Sequence, residues 1–185
     1  AVWRPPGSGP VRAVAPVAID LLDETDSTNA EARRRAEAGD TGPVWIVARR
    51  QTAGRGRRGR AWDSQTGNLA ATLLMPTSRA AAEASQVTFV AALAVADVLE
   101  AFVQPGRVSI KWPNDVLLSG HKAAGILIES GPAPQGLWLA VGIGINLAHS
   151  PTDTERPATA ISDHLRSDLA YPPTIEVAAT ILADQ

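Results

Sequence analysis

Residues 108–146 read VSIKWPNDVLLSGHKAAGILIESGPAPQGLWLAVGIGIN, and this stretch decides the fold. Val108–Lys111 is short, rich in β-branched residues and stopped by Pro113, so it reads as a strand that turns. Val116–Leu118 and Ala124–Glu129 are two more strands, joined by Ser119-Gly120-His121-Lys122 as a hairpin. Leu137–Ile145 is a further apolar strand carrying two glycines. Strands that follow one another with no helix between them pair antiparallel.

Outward from this block the pattern changes. Val87, Val90, Ala91, Ala94, Val95, Val98, Leu99 and Phe102 recur at helical spacing, which predicts one long amphipathic helix over roughly 80–103. Before it, Asn68–Met75 reads as a strand closed by Pro76, Val44–Ala48 as a buried strand and Val17–Leu22 as a short strand. Thr28 followed by Glu31 is a capping-box signature, so a helix starts at Ser27 or Thr28 and ends at Gly39. Ala160–Leu165 and Thr174–Ala183 read as helical. Strands meeting in hairpins beside a few helices give an α+β class, with a mixed, mainly antiparallel sheet flanked by helices, and not a doubly wound parallel sheet.

The chain has 185 residues, enough for one domain with a core of its own. We expect a flexible tail over 1–16, rich in Pro and Gly and lacking the layout of a signal peptide, and one domain over 17–185. No apolar run is read as reaching the ~18–20 residues of a membrane helix. The absence of Cys excludes thiol catalysis, disulfides and cysteine–zinc sites. Net charge is −2, so there is no general pull toward polyanions. The charge is local instead: Arg49, Arg50, Arg55, Arg57, Arg58 and Arg60 lie within twelve positions without an acid among them. Seventeen basic residues include only two lysines, Lys111 and Lys122, which marks both as places where a compact ammonium is wanted.

Five runs carry chemistry. In Gly54-Arg55-Gly56-Arg57-Arg58-Gly59-Arg60 the glycines let backbone N–H groups converge on an anion, and the arginines add forked donors. No Lys-Ser/Thr follows, so it is not a phosphate loop of the Walker type. In Lys111-Trp112-Pro113-Asn114-Asp115, Lys111 can neutralise phosphate and Asp115 can hold a hydrated divalent ion; a turn in which Asn114 and Asp115 only cap backbone is the plainer reading of that run by itself. Lys122, just before Gly125-Ile126-Leu127-Ile128-Glu129, reads alone as a solvated hairpin lysine. Gly142 and Gly144 permit close approach of something flat, with Asn146 beyond them. Ser27-Thr28-Asn29 is explained by helix capping, although a small polar ligand can share those groups.

Taken in order, Ser27-Thr28-Asn29, Gln51 through Arg60 with Trp62, Lys111 through Asp115, Lys122 with Gly125 through Glu129, and Gly142 through Asn146 resemble the biotin–protein ligase family over about residues 20–147. The resemblance implies a fold similar to the class II aminoacyl-tRNA synthetase and biotin ligase core. It implies a ligase that converts biotin and ATP to biotinyl-5′-AMP and transfers the biotinyl group to a lysine of a carboxylase's biotin carboxyl carrier domain. By resemblance, Ser27, Thr28, Asn29, Gln51, Gly54, Arg55, Gly56, Arg57, Lys122 and Gly125 meet biotin. Arg55, Arg58, Trp62, Lys111, Asn114, Asp115 and Asn146 meet ATP, with Trp62 stacking on adenine and Asp115 on Mg²⁺. Arg57 and Lys122 are the catalytic candidates. A cytoplasmic enzyme, with no membrane partner and a possible homodimer, is also implied. Many members carry a DNA-binding helix-turn-helix and a small C-terminal domain; neither is expected in these 185 residues. The physical reading agrees: a carboxylate must meet an α-phosphate, so Arg57 and Lys122 must share one cavity.

Two other readings make different predictions. A non-catalytic biotin-binding module binds biotin without turnover. An RNA-binding protein using the Arg/Gly loop shows steep salt dependence and no response to biotin.

Overall fold

A computed structural model describes residues 15–152, 154 and 157–185. Most of the expected N-terminal tail, 1–14, lies outside the described residues.

Seven strands form one sheet: β1 (Ile19–Leu22), β2 (Val44–Ala48), β3 (Leu69–Thr77), β4 (Val108–Lys111), β5 (Asp115–Leu118), β6 (His121–Ala133) and β7 (Gly136–Ile145). Their order is β1-β2-β3-β7-β6-β5-β4. Only β1 and β2 pair parallel; every other neighbour is antiparallel, as the hairpin reading requires. Helices α1 (Thr28–Glu37), α2 (Ala81–Ala84), α3 (Val87–Glu100) and α4 (Ile175–Ala183) complete the fold.

Strand alternation divides the sheet into two faces. Leu69, Ala71, Leu139, Val141, Ile143, Ala124 and Ile126 point to one side and bury the large core against Val95, Val98 and Leu99 of α3 and Ala178 and Leu182 of α4. The other face is smaller. Ile46, Leu74, Trp138 and Ala140 pack there beneath Ala32 and Ala36 of α1. The rest of that face is the row Thr72–Gly142–Leu127 and the row Ala70–Gly144–Gly125, where small side chains leave room above the sheet.

Several local expectations change. β3 does not close at Pro76 but runs to Thr77, pairing Pro76 with Trp138. The β2 neighbour has already ended at Leu74, so that side of β3 is an open edge where a proline is tolerated. The single helix over 80–103 is two, α2 and α3, broken at Ser85-Gln86. The Ser85 hydroxyl donates to the Ala82 carbonyl and the Thr88 hydroxyl to the Ser85 carbonyl, so side chains compete with the helical ladder there. Contrary to the sequence reading, Ala81–Glu100 does have the length and apolar composition of a membrane-crossing helix; its buried face lies on the sheet. Ala160–Leu165 is a 3₁₀ turn at Ile161–His164.

The Thr28–Glu31 capping box does not form. Glu31 turns outward to Arg34 and Arg35, while Arg34 also pairs with Asp26. Hydrogen bonds from Arg34 hold the Asp26 carboxyl far below the usual carboxylate range, and those from Arg35 lower Glu31. A depressed carboxylate stabilises the fold above its unfolded pKa, about 4, and that contribution disappears as pH falls through the folded value. Both acids therefore predict stability that is level above about pH 5 and declines below about pH 4. Glu31→Gln should flatten part of that decline. Urea midpoints at pH 6 and pH 3 read it; equal slopes in both proteins would refute the assignment.

Candidate active site

The small face of the sheet, between α1 and the Arg/Gly loop, gathers most of the residues singled out by sequence. The chain after β2 stays alongside the end of β1: Thr25 and Gln51 form a parallel bridge, and the N–H groups of Thr52 and Ala53 donate to Thr25 and Asp26 carbonyls. This brings Gln51 to the start of α1. Its Oε1 accepts from the Thr28 N–H at 2.8 Å, so Gln51 caps α1 from across the site, while the N-cap Ser27 makes no side-chain cap. Gln51 Nε2 donates to Ser64 Oγ at 2.7 Å, a site neighbour that no sequence motif flagged.

The loop itself is a folded hairpin. Arg55 pairs with Ala61, Trp62 N–H donates to Gly54 carbonyl and Gly56 N–H to Arg60 carbonyl, with a 3₁₀ turn at Arg57–Gly59. Gly54 is required by crowding: a Cβ there would lie 2.5 Å from the Trp62 carbonyl oxygen. Arg57 reaches over to Asn114, donating to its Oδ1 at 2.8 Å, and Asn114 Nδ2 donates to the Ile126 carbonyl. Arg55 and Arg58 are side chains of the same hairpin, Arg58 exposed.

Trp112-Pro113-Asn114 forms the turn between β4 and β5, with Lys111 opposite Asp115 and therefore on the same face of the hairpin. Lys111 is exposed. The next turn is tighter than expected: only Ser119 and Gly120, with φ of 51° and 82°, connect β5 to β6. Lys122 is thus inside β6, not in the hairpin loop. The register then slips, pairing Leu117 with Lys122 but Val116 with Ala124. This bulge inserts Ala123, so Ala123 and Ala124 both turn to the large core and Lys122 lands on the same face as Gly125. Lys122 Nζ lies 2.7 Å from Asp115 Oδ1 and 5.5 Å from the centre of the Trp62 ring. Arg57 and Lys122 consequently converge on two consecutive residues, Asn114 and Asp115.

The Trp62 ring lies across Gly144 and Gly125: Cβ atoms there would meet it at 2.4 and 3.0 Å. Gly142 carries the Asn29 amide in the same way, with Oδ1 2.1 Å from a Cβ position. The group that approaches each of these glycines closely is therefore a protein side chain. Trp62 becomes a wall of the slot.

Asn146 is buried. Its Nδ2 donates to the Thr159 carbonyl and its backbone brackets Ala123 and Ile161, so it ties the 159–161 segment to the site. Arg57 and Asn114 also border a cleft of 410 Å³ with Phe89, Trp112 and Ile128; Lys122 does not line it. Among the described residues no group of three or more His, Asp or Glu side chains is arranged to hold a metal.

Residues 20–146 match the model of the biotin/lipoate A/B protein ligase family. The chain belongs to this family. It is 53% identical over 133 residues to a biotin–[acetyl-CoA-carboxylase] ligase of Paracoccus denitrificans, covering 71% of this chain and 55% of that protein. Among solved structures it is similar to the Leishmania major biotin protein ligase in complex with biotinyl-5-AMP, with a TM-score of 0.75 and 28% identity over 91% of this chain and 72% of that one. The Aquifex aeolicus biotin protein ligase in complex with biotin and ATP gives a TM-score of 0.71 and 31% identity, over 90% of this chain and 67% of that one. The chain spans about half the length of the curated relatives it matches. The matched residues span the sheet of this chain from β1 to β7 together with its small face and loop, where the polar residues converge.

Proposed function

We propose that this chain activates biotin with ATP, forming biotinyl-5′-AMP, and passes the biotinyl group to a lysine of a biotin carrier domain of a carboxylase, as a cytoplasmic ligase. The observation that carries the reading is the convergence of Arg57 and Lys122 on Asn114–Asp115 beside a slot walled by the Trp62 ring, which lies on Gly125 and Gly144.

In the first step a biotin carboxylate oxygen bonds to the α-phosphorus and the bond to pyrophosphate breaks. The carboxylate is ionised at neutral pH, so no general base is needed. The barrier is electrostatic: two anions must touch, and charge accumulates on the departing pyrophosphate. Preorganised cations in a water-poor site lower that barrier. Lys122, half-buried against Trp62 and Gly125, is assigned to the carboxylate and α-phosphate. Arg57, with Arg55 and Arg58 on its hairpin, is assigned to the phosphates. Lys111, Asn114, Asp115, Trp62 and Asn146 are assigned to the nucleotide side. Ser27, Thr28, Asn29 and Gln51 form the polar end of the slot for the ureido group, with Gly54 and Gly56 shaping the loop over it. In the second step the acceptor lysine amine bonds to the acyl carbon and AMP leaves.

A magnesium ion arriving with ATP would be held on the protein side by the Asp115 carboxylate, which pairs with Lys122, and would supply further charge neutralisation. Biotin plus Mg-ATP should release pyrophosphate and leave a tightly held adenylate. Binding of biotin without pyrophosphate release would establish the non-catalytic alternative, and no biotin binding by calorimetry, with or without a non-hydrolysable ATP analogue, would refute both.

Arg57 is exposed and touches the rest of the fold through Asn114. Arg57→Ala should therefore speed loss of the adenylate by at least about tenfold, the worth of one charge-assisted hydrogen bond, with a melting temperature close to the parent's. A collapse in melting temperature would make the loop structural instead.

A further inference from the structure

Glu129 ends the Gly125–Glu129 run and has no part in the chemistry above, yet its carboxylate reaches into the polar end of the slot. It accepts a hydrogen bond from Asn29 Nδ2 at 2.8 Å, across a hundred residues of sequence. We propose that Glu129 is a positioning residue that sets the direction of the hydrogen bonds running from Asn29 through Thr72 to Thr28, so that the Thr28 oxygen joins Gln51 Oε1 as an acceptor for a ligand N–H. This rests on the reading of the site as a biotin slot.

The direction follows from proton counting. Asn29 is 4% exposed and lies flat on Gly142. Its amide nitrogen faces two acceptors, Glu129 and the Leu127 carbonyl, at 2.8 and 3.2 Å. Its oxygen therefore faces Thr72 Oγ1, at 2.7 Å. Thr72 is wholly buried and has one hydroxyl proton, which must go to that oxygen because an amide oxygen offers none in return. Thr72 Oγ1 is also 2.8 Å from Thr28 Oγ1, so the proton in that contact comes from Thr28. The Thr28 hydroxyl has then spent its single proton. Its other close neighbour is Gln51 Oε1, at 3.1 Å, an oxygen already fixed as an acceptor by the Thr28 N–H. Giving the proton to Gln51 instead would leave two hydroxyl oxygens 2.8 Å apart with nothing between them, the worse of the two contacts. Two acceptor oxygens are left side by side, and the group that satisfies both is an N–H donor. A cyclic urea carries two.

Glu129 is the stronger of two fixed acceptors facing the Asn29 amide nitrogen: the Leu127 carbonyl cannot reverse either, but it is neutral and lies at 3.2 Å against 2.8 Å. A threonine hydroxyl rotates, and an asparagine amide flips with little change of shape. An ionised carboxylate accepts and never donates. Gln at this position can still present its oxygen to Asn29; Leu cannot accept at all.

Biotin and an ATP analogue are titrated calorimetrically into the whole chain and its Glu129→Leu, Glu129→Gln and Thr72→Val variants, and the Asn29 side-chain amide protons are followed by NMR without ligand. Glu129→Leu and Thr72→Val should weaken biotin by about tenfold, the effect expected of one charge-assisted or buried hydrogen bond, with ATP-analogue affinity little changed; melting temperature should change little in Glu129→Leu and fall in Thr72→Val, which strands the buried Asn29 oxygen. Glu129→Gln should stay within about twofold of the parent. The two Asn29 amide protons should be distinct and slow to exchange in the parent and Glu129→Gln, and exchange-broadened in Glu129→Leu. Unchanged biotin affinity in Glu129→Leu, or equal losses for biotin and ATP analogue, overturns the proposal. So does an Asn29 amide signal unaffected by Glu129→Leu. A parent chain that binds no biotin refutes the function instead, while the NMR comparison still judges the ladder.

Discussion

Lys122→Ala should slow adenylate formation by about 100- to 1,000-fold, the loss seen when one preorganised electrostatic stabiliser is removed from an active site. The size of the effect comes from where the ammonium sits. Its side chain is 29% exposed and that of its partner Asp115 only 14%, so the pair works in a medium far less screening than water. Its Nζ and Cε both come within 3.3 Å of the position a Cβ would take on Gly125, and the Trp62 ring closes over it. A compact point charge fits this space; a planar guanidinium does not. Lys122→Arg should therefore fail to restore the rate although it keeps the charge. That accounts for a lysine in a chain whose other basic residues, Lys111 apart, are arginine. Single-turnover pyrophosphate release measures the rate. Asp115→Asn made together with Lys122→Ala removes the charge the alanine would strand. A loss below about tenfold in both would show that Lys122 does not touch the reacting groups.

Lys122 also shows how far the sequence could be read. Its residue type and its neighbours pointed to chemistry, but its position between two short strands predicted a solvated loop. What overturns that is the one-residue bulge at Ala123, and nothing in Leu117-Leu118-Ser119-Gly120-His121-Lys122-Ala123-Ala124 announces a bulge, since either alanine can face a core. The sheet itself was legible because β4 to β7 follow one another through turn residues with strong local signals. The parallel β1–β2 pair was not, because pairing partners distant in sequence leave no local trace. The capping box failed for a related reason. Glu31 has two arginines within one turn, and Thr28 has Gln51, so each group of the motif found a stronger partner than the other. Ser64, Thr72 and Glu129 escaped notice as site residues because each sits in an ordinary context; the register that stacks Thr72, Gly142 and Leu127 in one row reveals Thr72 and Glu129, and the hydrogen bond from Gln51 reveals Ser64. Trp62 was visible as an aromatic beside a cationic loop, but its place on Gly125 and Gly144 depends on the same register.

The glycine rows give the second large expected effect, and they separate folding from binding. In Gly142→Ala the new methyl would lie 2.1 Å from Asn29 Oδ1, 2.8 Å from its Cγ and 3.0 Å from its Nδ2. Asn29 cannot retreat without leaving Thr72, Leu127 and Glu129, and it stands in the first turn of α1, whose Ala32 and Ala36 are packed on the same sheet face. Overpacking costs about 1–3 kcal/mol and stranding buried polar groups about as much again, so a loss of roughly 2–4 kcal/mol is expected, read as a lower urea midpoint. Biotin affinity should fall at least 100-fold, because several hydrogen bonds of the ureido subsite are displaced together. Gly144→Ala places its methyl 2.4 Å from the Trp62 ring, an equally severe overlap, but against a different kind of neighbour. Trp62 belongs to an exposed hairpin that can lift, so the strain is relieved by moving the loop and not by unseating a helix. Gly144→Ala should therefore lose less than about 1 kcal/mol of stability while weakening both biotin and adenylate retention, since the wall of the slot has moved. The contrast decides whether Trp62 is a movable wall: if Gly144→Ala destabilises the fold as much as Gly142→Ala does, the indole is part of the core and the slot cannot open along it.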